Sequence, residues 1–183
     1  MANWEERYKR GEQASEEPHP LLVQFVSGLS PGRALDAACG AGRHAIWLAE
    51  RGWQVDAVDY SVNAIEIIRS RSIQKGVHVE TFVADLEHQE FVIKPAAYDL
   101  VVVCNYLQRN LFRPVKAGTR IGGSVVAVIA MVDDDPNIKP MNPAFLLQPG
   151  ELRTYFEDWE LLHDSEDKQD GRRATAELVA RRL

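Results

Sequence analysis

Two aspartates stand on either side of a glycine-rich bend, and their placement limits what the bend can hold. Asp36 lies inside a short apolar run with Ala34, Leu35, Ala37 and Ala38 that ends in Cys39-Gly40-Ala41-Gly42. Asp59 closes a second apolar run that begins at Val55. Between them Ile46, Leu48 and Ala49 recur at helical spacing, and Gly52 stops that helix. Strand, glycine turn, helix, strand and acid is the order of half a nucleotide-binding α/β unit. Gly40 and Gly42 lack a Cβ, so the turn can take positive φ and let a ligand lie against bare backbone. The N–H groups that open the helix at Arg43 have no partners within it and point at that ligand. Asp59, with Tyr60 beside it, can accept two hydrogen bonds from a ribose diol.

Two ligand classes suit this layout. A dinucleotide site uses G-x-G-x-x-G, and Ala45 is a tolerated third position. Such a turn faces a pyrophosphate, which a carboxylate at Asp36 would repel. The same carboxylate suits a ligand carrying an ammonium and a sulfonium, so the acid-before-glycines order favours S-adenosyl-L-methionine over NAD(P).

The stretch LDAACGAGRHA resembles motif I of the class I S-adenosylmethionine-dependent methyltransferases, and GAGRHAIWLAERGW with VDAVD-S resembles their small tellurite-resistance-type branch. The resemblance covers nearly the whole chain. It implies an α/β fold: one domain over 1–183, doubly wound, with a seven-stranded sheet in the order 3-2-1-4-5-7-6, the last strand antiparallel and helices on both faces. It also implies that the aromatic segment at 1–20 is a lid over the cofactor, competing with a plain amphipathic turn packed on the body. Trp4 and Tyr8 lie four apart, on one helical face.

The elements that must position these groups follow from periodicity. Pro20 opens a helix through Leu21, Leu22, Phe25, Val26 and Leu29. Ser61 is an N-cap for a helix ending at Gly76. A strand over 77–83 ends in Ala84-Asp85-Leu86, where Asp85 serves as a helix-type cap or, one strand along the same edge, accepts from an adenine amino group. The run 98–105 is apolar on both faces, as central parallel strands are, and its end, Asn105-Tyr106-Leu107-Gln108-Arg109, falls where the family presents the methyl group. Tyr106 and Arg109 are the candidates for positioning the acceptor, Arg109 by holding an anion or else pairing with a nearby acid. The branch often has histidine where Gln108 stands. A helix from Pro114 to Gly122-Gly123, a strand over 124–131 and a long loop over 132–148 follow. Asp133, Asp134 and Asp135 read as a solvated loop, and Asn142, Phe145 and Leu146 as candidate pocket lining by position alone. The last two strands, 159–163 and 174–181, are joined by too short a segment for a crossover helix and must pair antiparallel.

Cofactor contacts are thus expected from Tyr8, Asp36, Cys39, Gly40, Gly42, Arg43, Asp59, Tyr60, Asp85, Leu86 and Asn105, with S-adenosyl-L-methionine as the cofactor and no metal ligand set. His78 and His88 read as surface histidines, His19 as a loop histidine, and His44 as a packing or helix-terminal residue.

At 183 residues and 45% apolar content the chain is one domain with a core of ordinary size. A net charge of −6 disfavours a nucleic-acid or membrane-surface binder, and two distant cysteines make no disulfide framework. These features fit a cytoplasmic enzyme handling a small-molecule methyl acceptor, a thiol or chalcogen anion by resemblance. The rival readings are an NAD(P)-dependent oxidoreductase and a non-catalytic S-adenosylmethionine-binding protein; oligomeric state is left open.

Overall fold

A computed structural model describes residues 4–11, 15–168 and 171–183. The elements are α1 (Trp4–Lys9), α2 (Pro20–Val26), β1 (Arg33–Ala37), α3 (Arg43–Ala49), β2 (Gln54–Asp59), α4 (Val62–Lys75), β3 (Glu80–Val83), β4 (Tyr98–Cys104), α5 (Phe112–Gly118), β5 (Thr119–Ala130), α6 (Glu151–Thr154), β6 (Glu160–Asp167) and β7 (Thr175–Arg181). The seven strands form one sheet in the order β3-β2-β1-β4-β5-β7-β6. β1 to β5 run parallel, and β7 lies antiparallel to both β5 and β6. This is the expected class I topology.

Side-chain alternation divides the core. Leu35, Ala37, Val101, Val103, Val125, Ala127 and Leu178 face one way, toward Phe112 and Val115 of α5 and Leu152 of α6. Ala34, Leu100, Val102, Val126, Val128 and Val179 face the other, toward Leu22 and Val26 of α2, Leu48 of α3 and Ile65 and Ile68 of α4. A central strand that alternates between two apolar layers must be apolar throughout, which is why β4 reads as an unbroken run.

α4 begins and ends where its caps predict: Ser61 Oγ accepts from the Ala64 N–H, and Gly76 takes φ +65°. One boundary differs. The helix opened near Pro114 ends at Gly118, not at Gly122-Gly123, and β5 starts at Thr119. Thr119 pairs with Tyr98, and its hydroxyl donates to the Val115 carbonyl. The two glycines instead mark a register shift between Tyr98 and Leu100, with Gly122 at φ +78° and Gly123 pressed so close to the Arg120 and Asp99 carbonyls that a Cβ would sit 3.0 Å from each. β3 is shorter than the expected 77–83. β6 is longer than 159–163, because its outer residues alternate charged and half-buried along an edge. No helix among the described residues is long and apolar enough to cross a membrane.

Candidate functional site

The carboxyl ends of β1, β2 and β4 meet where the strand order reverses, and that crevice gathers the expected ligand residues. Two non-glycine residues at its rim hold positive φ, Ala38 at +55° after β1 and Asn105 at +58° after β4. Such conformations cost about 1–3 kcal/mol and persist where the surroundings hold them in place. The Asn105 N–H is fixed by a 2.7 Å bond to the Val128 carbonyl. Asparagine tolerates this region and was legible as a candidate; the strained Ala38 gives no sign of itself in sequence.

Asp59 organises the turn. Its Oδ2 accepts from the Gly40 N–H at 2.8 Å and its Oδ1 from the Ser61 N–H at 2.9 Å. An ionised carboxylate has about four acceptor directions, so both oxygens keep capacity for a diol. Burial raises its pKa, opposed by these backbone donors. Gly40 at φ +54° and Gly42 at φ +77° take the conformations the turn requires, and a Cβ on Gly42 would lie 2.5 Å from Ile68 Cγ1.

Asp36 is buried at the floor of the crevice, where its Oδ2 accepts from the Ala45 N–H at 3.1 Å. Burial pushes its pKa up to about 7. His44 Nδ1 stands 3.9 Å from Asp36 Oδ1, outside hydrogen-bond range, and among the described residues its buried Nε2 has no partner. Burial, with the Arg43 and His19 charges nearby, pulls the His44 pKa down to about 3, so this imidazole is neutral. Cys39 and Cys104 are buried thiols, and burial pushes both up, Cys104 to about 12.

α1 lies over the turn. The Tyr8 hydroxyl occupies the space above Gly40 that a Cβ there would need, Trp4 stacks on Tyr8 at 6.0 Å, and Glu5 accepts from the Ser61 hydroxyl and the Asn63 amide at the start of α4. Burial beside Asp59 pushes the Tyr8 pKa up to about 12. Tyr60 is about half exposed, and burial with the Asp59 charge beside it raises its pKa. Glu5, which ties the segment down, carries no sequence signal distinguishing it from any exposed glutamate.

Asp85 forms the cap-like turn weighed against an adenine contact: Oδ1 accepts from the Glu87 N–H at 2.8 Å and Oδ2 meets His88 Nδ1 at 2.8 Å. Leu86 is buried, and its carbonyl accepts from Gln108 Nε2 at 3.1 Å, while Tyr106 donates to Gln108 Oε1 at 2.7 Å. Gln108, read only as a departure from the family pattern, is therefore the strut between the ends of β3 and β4. Arg109 makes the alternative ion pair. Its Nε and Nη2 bind both Glu151 oxygens at 2.6 and 3.0 Å, and Nη1 and Nη2 donate to the Ala144 and Leu146 carbonyls. A cleft of about 420 Å³ opens here, lined by Glu87, Leu107, Gln108, Arg109, Asn110 and Ala144. Of the loop residues proposed as lining, Leu146 is buried, while Asn142 is exposed and caps Ala144. His19 departs from expectation: it is the N-cap of α2, Nδ1 accepting from the Leu21 N–H, and faces Glu177. Asp133 is tied to Lys168 and to the Ala174 N–H. Among the described residues no three His, Cys, Asp or Glu side chains converge as metal ligands.

A glycine cradle with a buried carboxyl at the strand on either side, Asp36 and Asp59, fits S-adenosylmethionine. Comparison with known proteins agrees. The chain is 27% identical over 159 residues to the probable S-adenosyl-L-methionine-dependent methyltransferase TehB of Haemophilus influenzae, covering 81% of this chain and 53% of that protein. It is 31% identical over 156 residues to hemagglutinin 1 of Eikenella corrodens, covering 79% and 49% respectively. The chain thus spans about half the length of the curated relatives it matches. The crystal structure of TehB from Haemophilus influenzae superposes with a TM-score of 0.80 at 25% identity, covering 98% of this chain and 67% of that one. Residues 4–179 match the family model described as tellurite resistance protein TehB, and the chain belongs to that family of class I S-adenosylmethionine-dependent methyltransferases.

Proposed function

We propose that this chain transfers the methyl group of S-adenosylmethionine to a small-molecule acceptor, with a thiol or chalcogen anion as the acceptor class. The observation that carries the reading is the buried Asp36 carboxyl beneath a glycine turn whose far side is held by Asp59. The donor brings a methyl group already made electrophilic by its sulfonium. The protein's part is to bind and orient, and to keep water out. Asp36 faces the donor's ammonium, Asp59 its ribose, and the end of β3 at Asp85 and Leu86 its base. Cys39, Gly40, Gly42 and Arg43 supply the backbone between, and Asn105 and Tyr106 flank the methyl. Tyr8, with Tyr60 behind it, closes the crevice from above. We assign Arg109 to fixing the 143–146 loop, which shapes the acceptor side, through its pair with Glu151. The family's name for tellurite resistance supports the acceptor class, and the acidic chain supports a small molecule over a nucleic acid.

Binding calorimetry tests the reading. S-adenosylhomocysteine is expected to bind and NADH to give no heat; the reverse result would favour the oxidoreductase, whose sheet, however, would continue with parallel units where β7 here runs antiparallel. Tight homocysteine-nucleoside binding with no methyl transfer across a screen of thiols, selenols, phenols and amines would favour a non-catalytic binding protein.

A further inference from the structure

At the carboxyl edge, the sheet face that packs on α2 and α3 carries ionisable side chains that the cofactor half of the site does not use. Glu177 in β7 sits opposite Val128 in β5, which pairs with Cys104 in β4. It therefore stands two interstrand spacings, about 10 Å, from the strand end that leads into Asn105. Ala176 and Leu178 belong to the α5 face and Val179 to the α2 face, so alternation places Glu177 with Val179. There His19 Nε2 is 3.7 Å from one carboxylate oxygen and His163 Nε2 is 3.7 Å from the other. The backbone joins this group to the crevice: Val128, the register partner of Glu177, accepts at its carbonyl from the Asn105 N–H at 2.7 Å. Among the described residues the buried His44 Nε2 at the start of α3 has no hydrogen-bond partner, which leaves a position for another molecule to fill.

The tautomers assign the parts. His19 Nδ1 accepts from the Leu21 N–H at 3.3 Å, so the neutral ring carries its hydrogen on Nε2, toward Glu177. It orients the carboxylate and does not take up a proton itself. His163, the outermost of the three and 38% exposed, also meets Ser165 Oγ at 3.0 Å and opens to solvent. Gaps of 3.7 Å exceed a direct hydrogen bond, as is common for catalytic pairs before substrate tightens them.

We propose that Glu177, held between His19 and His163, is the base that removes the proton of the methyl acceptor when that acceptor arrives as a neutral thiol rather than as an anion. This rests on the methyl-transfer reading above. The acceptor's S–H bond breaks and its proton goes to Glu177. The freed electron pair forms the bond to the methyl carbon of the methylsulfonium donor. The carbon–sulfur bond breaks, and its pair returns to sulfur, leaving a neutral thioether. The proton leaves through His163.

The test compares acceptors of matched shape but different acidity: an aryl thiol ionised at the assay pH, an alkyl thiol and a phenol protonated at that pH. Glu177→Gln is expected to lose about 10²–10⁴-fold in kcat/KM on the protonated acceptors and to stay within a few-fold of wild type on the ionised thiol. Its affinity for S-adenosylhomocysteine and its Tm should be unchanged. Which protonated acceptor turns over tells sulfur from oxygen. His19→Asn keeps the cap but loses the orienting hydrogen, so its loss should be smaller, again confined to protonated acceptors, with a displaced pH profile. By NMR, the His19 titration should move to lower pH in Glu177→Gln, because the carboxylate favours the imidazolium. Equal losses on ionised and protonated acceptors, or none on either while wild type is active, would overturn the base. A wild-type protein that binds no S-adenosylhomocysteine would instead overturn the methyl-transfer reading and this one with it.

Discussion

Asp36 is the residue with most to gain from a bound cation. Burial holds its pKa near 7, well above the usual carboxylate range, so in the free protein it keeps its proton more tightly folded than unfolded. Stability from this group is therefore fully present below about pH 4 and declines as pH rises toward 7, by a few kcal/mol. Urea melts of the free protein between pH 4 and 8 should show that decline, and Asp36→Asn should flatten it. The proposed ammonium contact reverses the balance, because a cation beside the carboxylate favours ionisation. Affinity for S-adenosylhomocysteine should rise with pH up to about 7 and then level off, with up to one proton released per ligand bound at pH 6. Calorimetry in buffers of different ionisation enthalpy measures that proton, and a proton count of zero would place the ammonium elsewhere. Asp59 gives a different signature, since its carboxylate holds two backbone N–H groups before any ligand arrives. Asp59→Ala should weaken S-adenosylhomocysteine by about one to a few kcal/mol and also lower Tm, because the Gly40 and Ser61 donors lose their acceptor.

At the scale of elements, the ends of strands carry the site and loops decide its shape. Arg109 shows the division. Its guanidinium is committed to Glu151 and to the carbonyls of Ala144 and Leu146, so it fastens the loop after β5 to the segment after β4. Arg109→Ala should raise acceptor KM with S-adenosylhomocysteine affinity unchanged, and cost about 1–2 kcal/mol of stability, more than an exposed ion pair because loop carbonyls are also released. Hydrogen exchange over 143–148 should quicken in the same variant. An unchanged exchange rate would mean the loop is held by Leu146 and Leu147 packing alone. The sequence made the elements legible where a local rule dominates: Ser61 and Gly76 bound α4, and the apolar run over 98–104 marks a strand buried on both faces. It misled at Gly122-Gly123, because paired glycines end a helix or make a bulge equally well, and only the pairing with Tyr98 and Asp99 selects the bulge. Contacts between residues distant in the chain, such as Glu5 with Ser61 or His19 with Glu177, were hidden for the same reason.

Across the whole molecule, the sheet order joins these scales. Placing β1 between β2 and β4 opens the crevice, and inserting β7 antiparallel between β5 and β6 brings the start of β7 to the same edge as the ends of the parallel strands. The motif around Asp36, Gly40 and Asp59 could be read from sequence because it is contiguous and each residue type has a backbone reason. The proposed acceptor half could not, because its residues come together from α2, β6, β7 and the loop around 144. That division predicts where a ligand's effects should appear. The proposed cofactor half includes α1, which is tied to α4 by Glu5 and rests on Gly40 through Tyr8, whereas β6 forms the outer edge of the sheet. On the proposed reading, a ligand seated on Gly40 would displace the Tyr8 hydroxyl, and α1 would settle over the bound molecule. Hydrogen exchange with and without S-adenosylhomocysteine should therefore show added protection over 4–11, 38–43 and 59–64, in α1, the glycine turn and the start of α4. β6 should exchange at its free rate until an acceptor is added. Glu5→Ala should quicken exchange of α1 in the free protein and reduce the ligand's protection there, while the turn stays protected. Protection of the turn without α1 in the wild-type protein would show that the ligand enters beneath an open segment. Protection of β6 by the cofactor product alone would break the separation of the two halves on which the acceptor assignment depends.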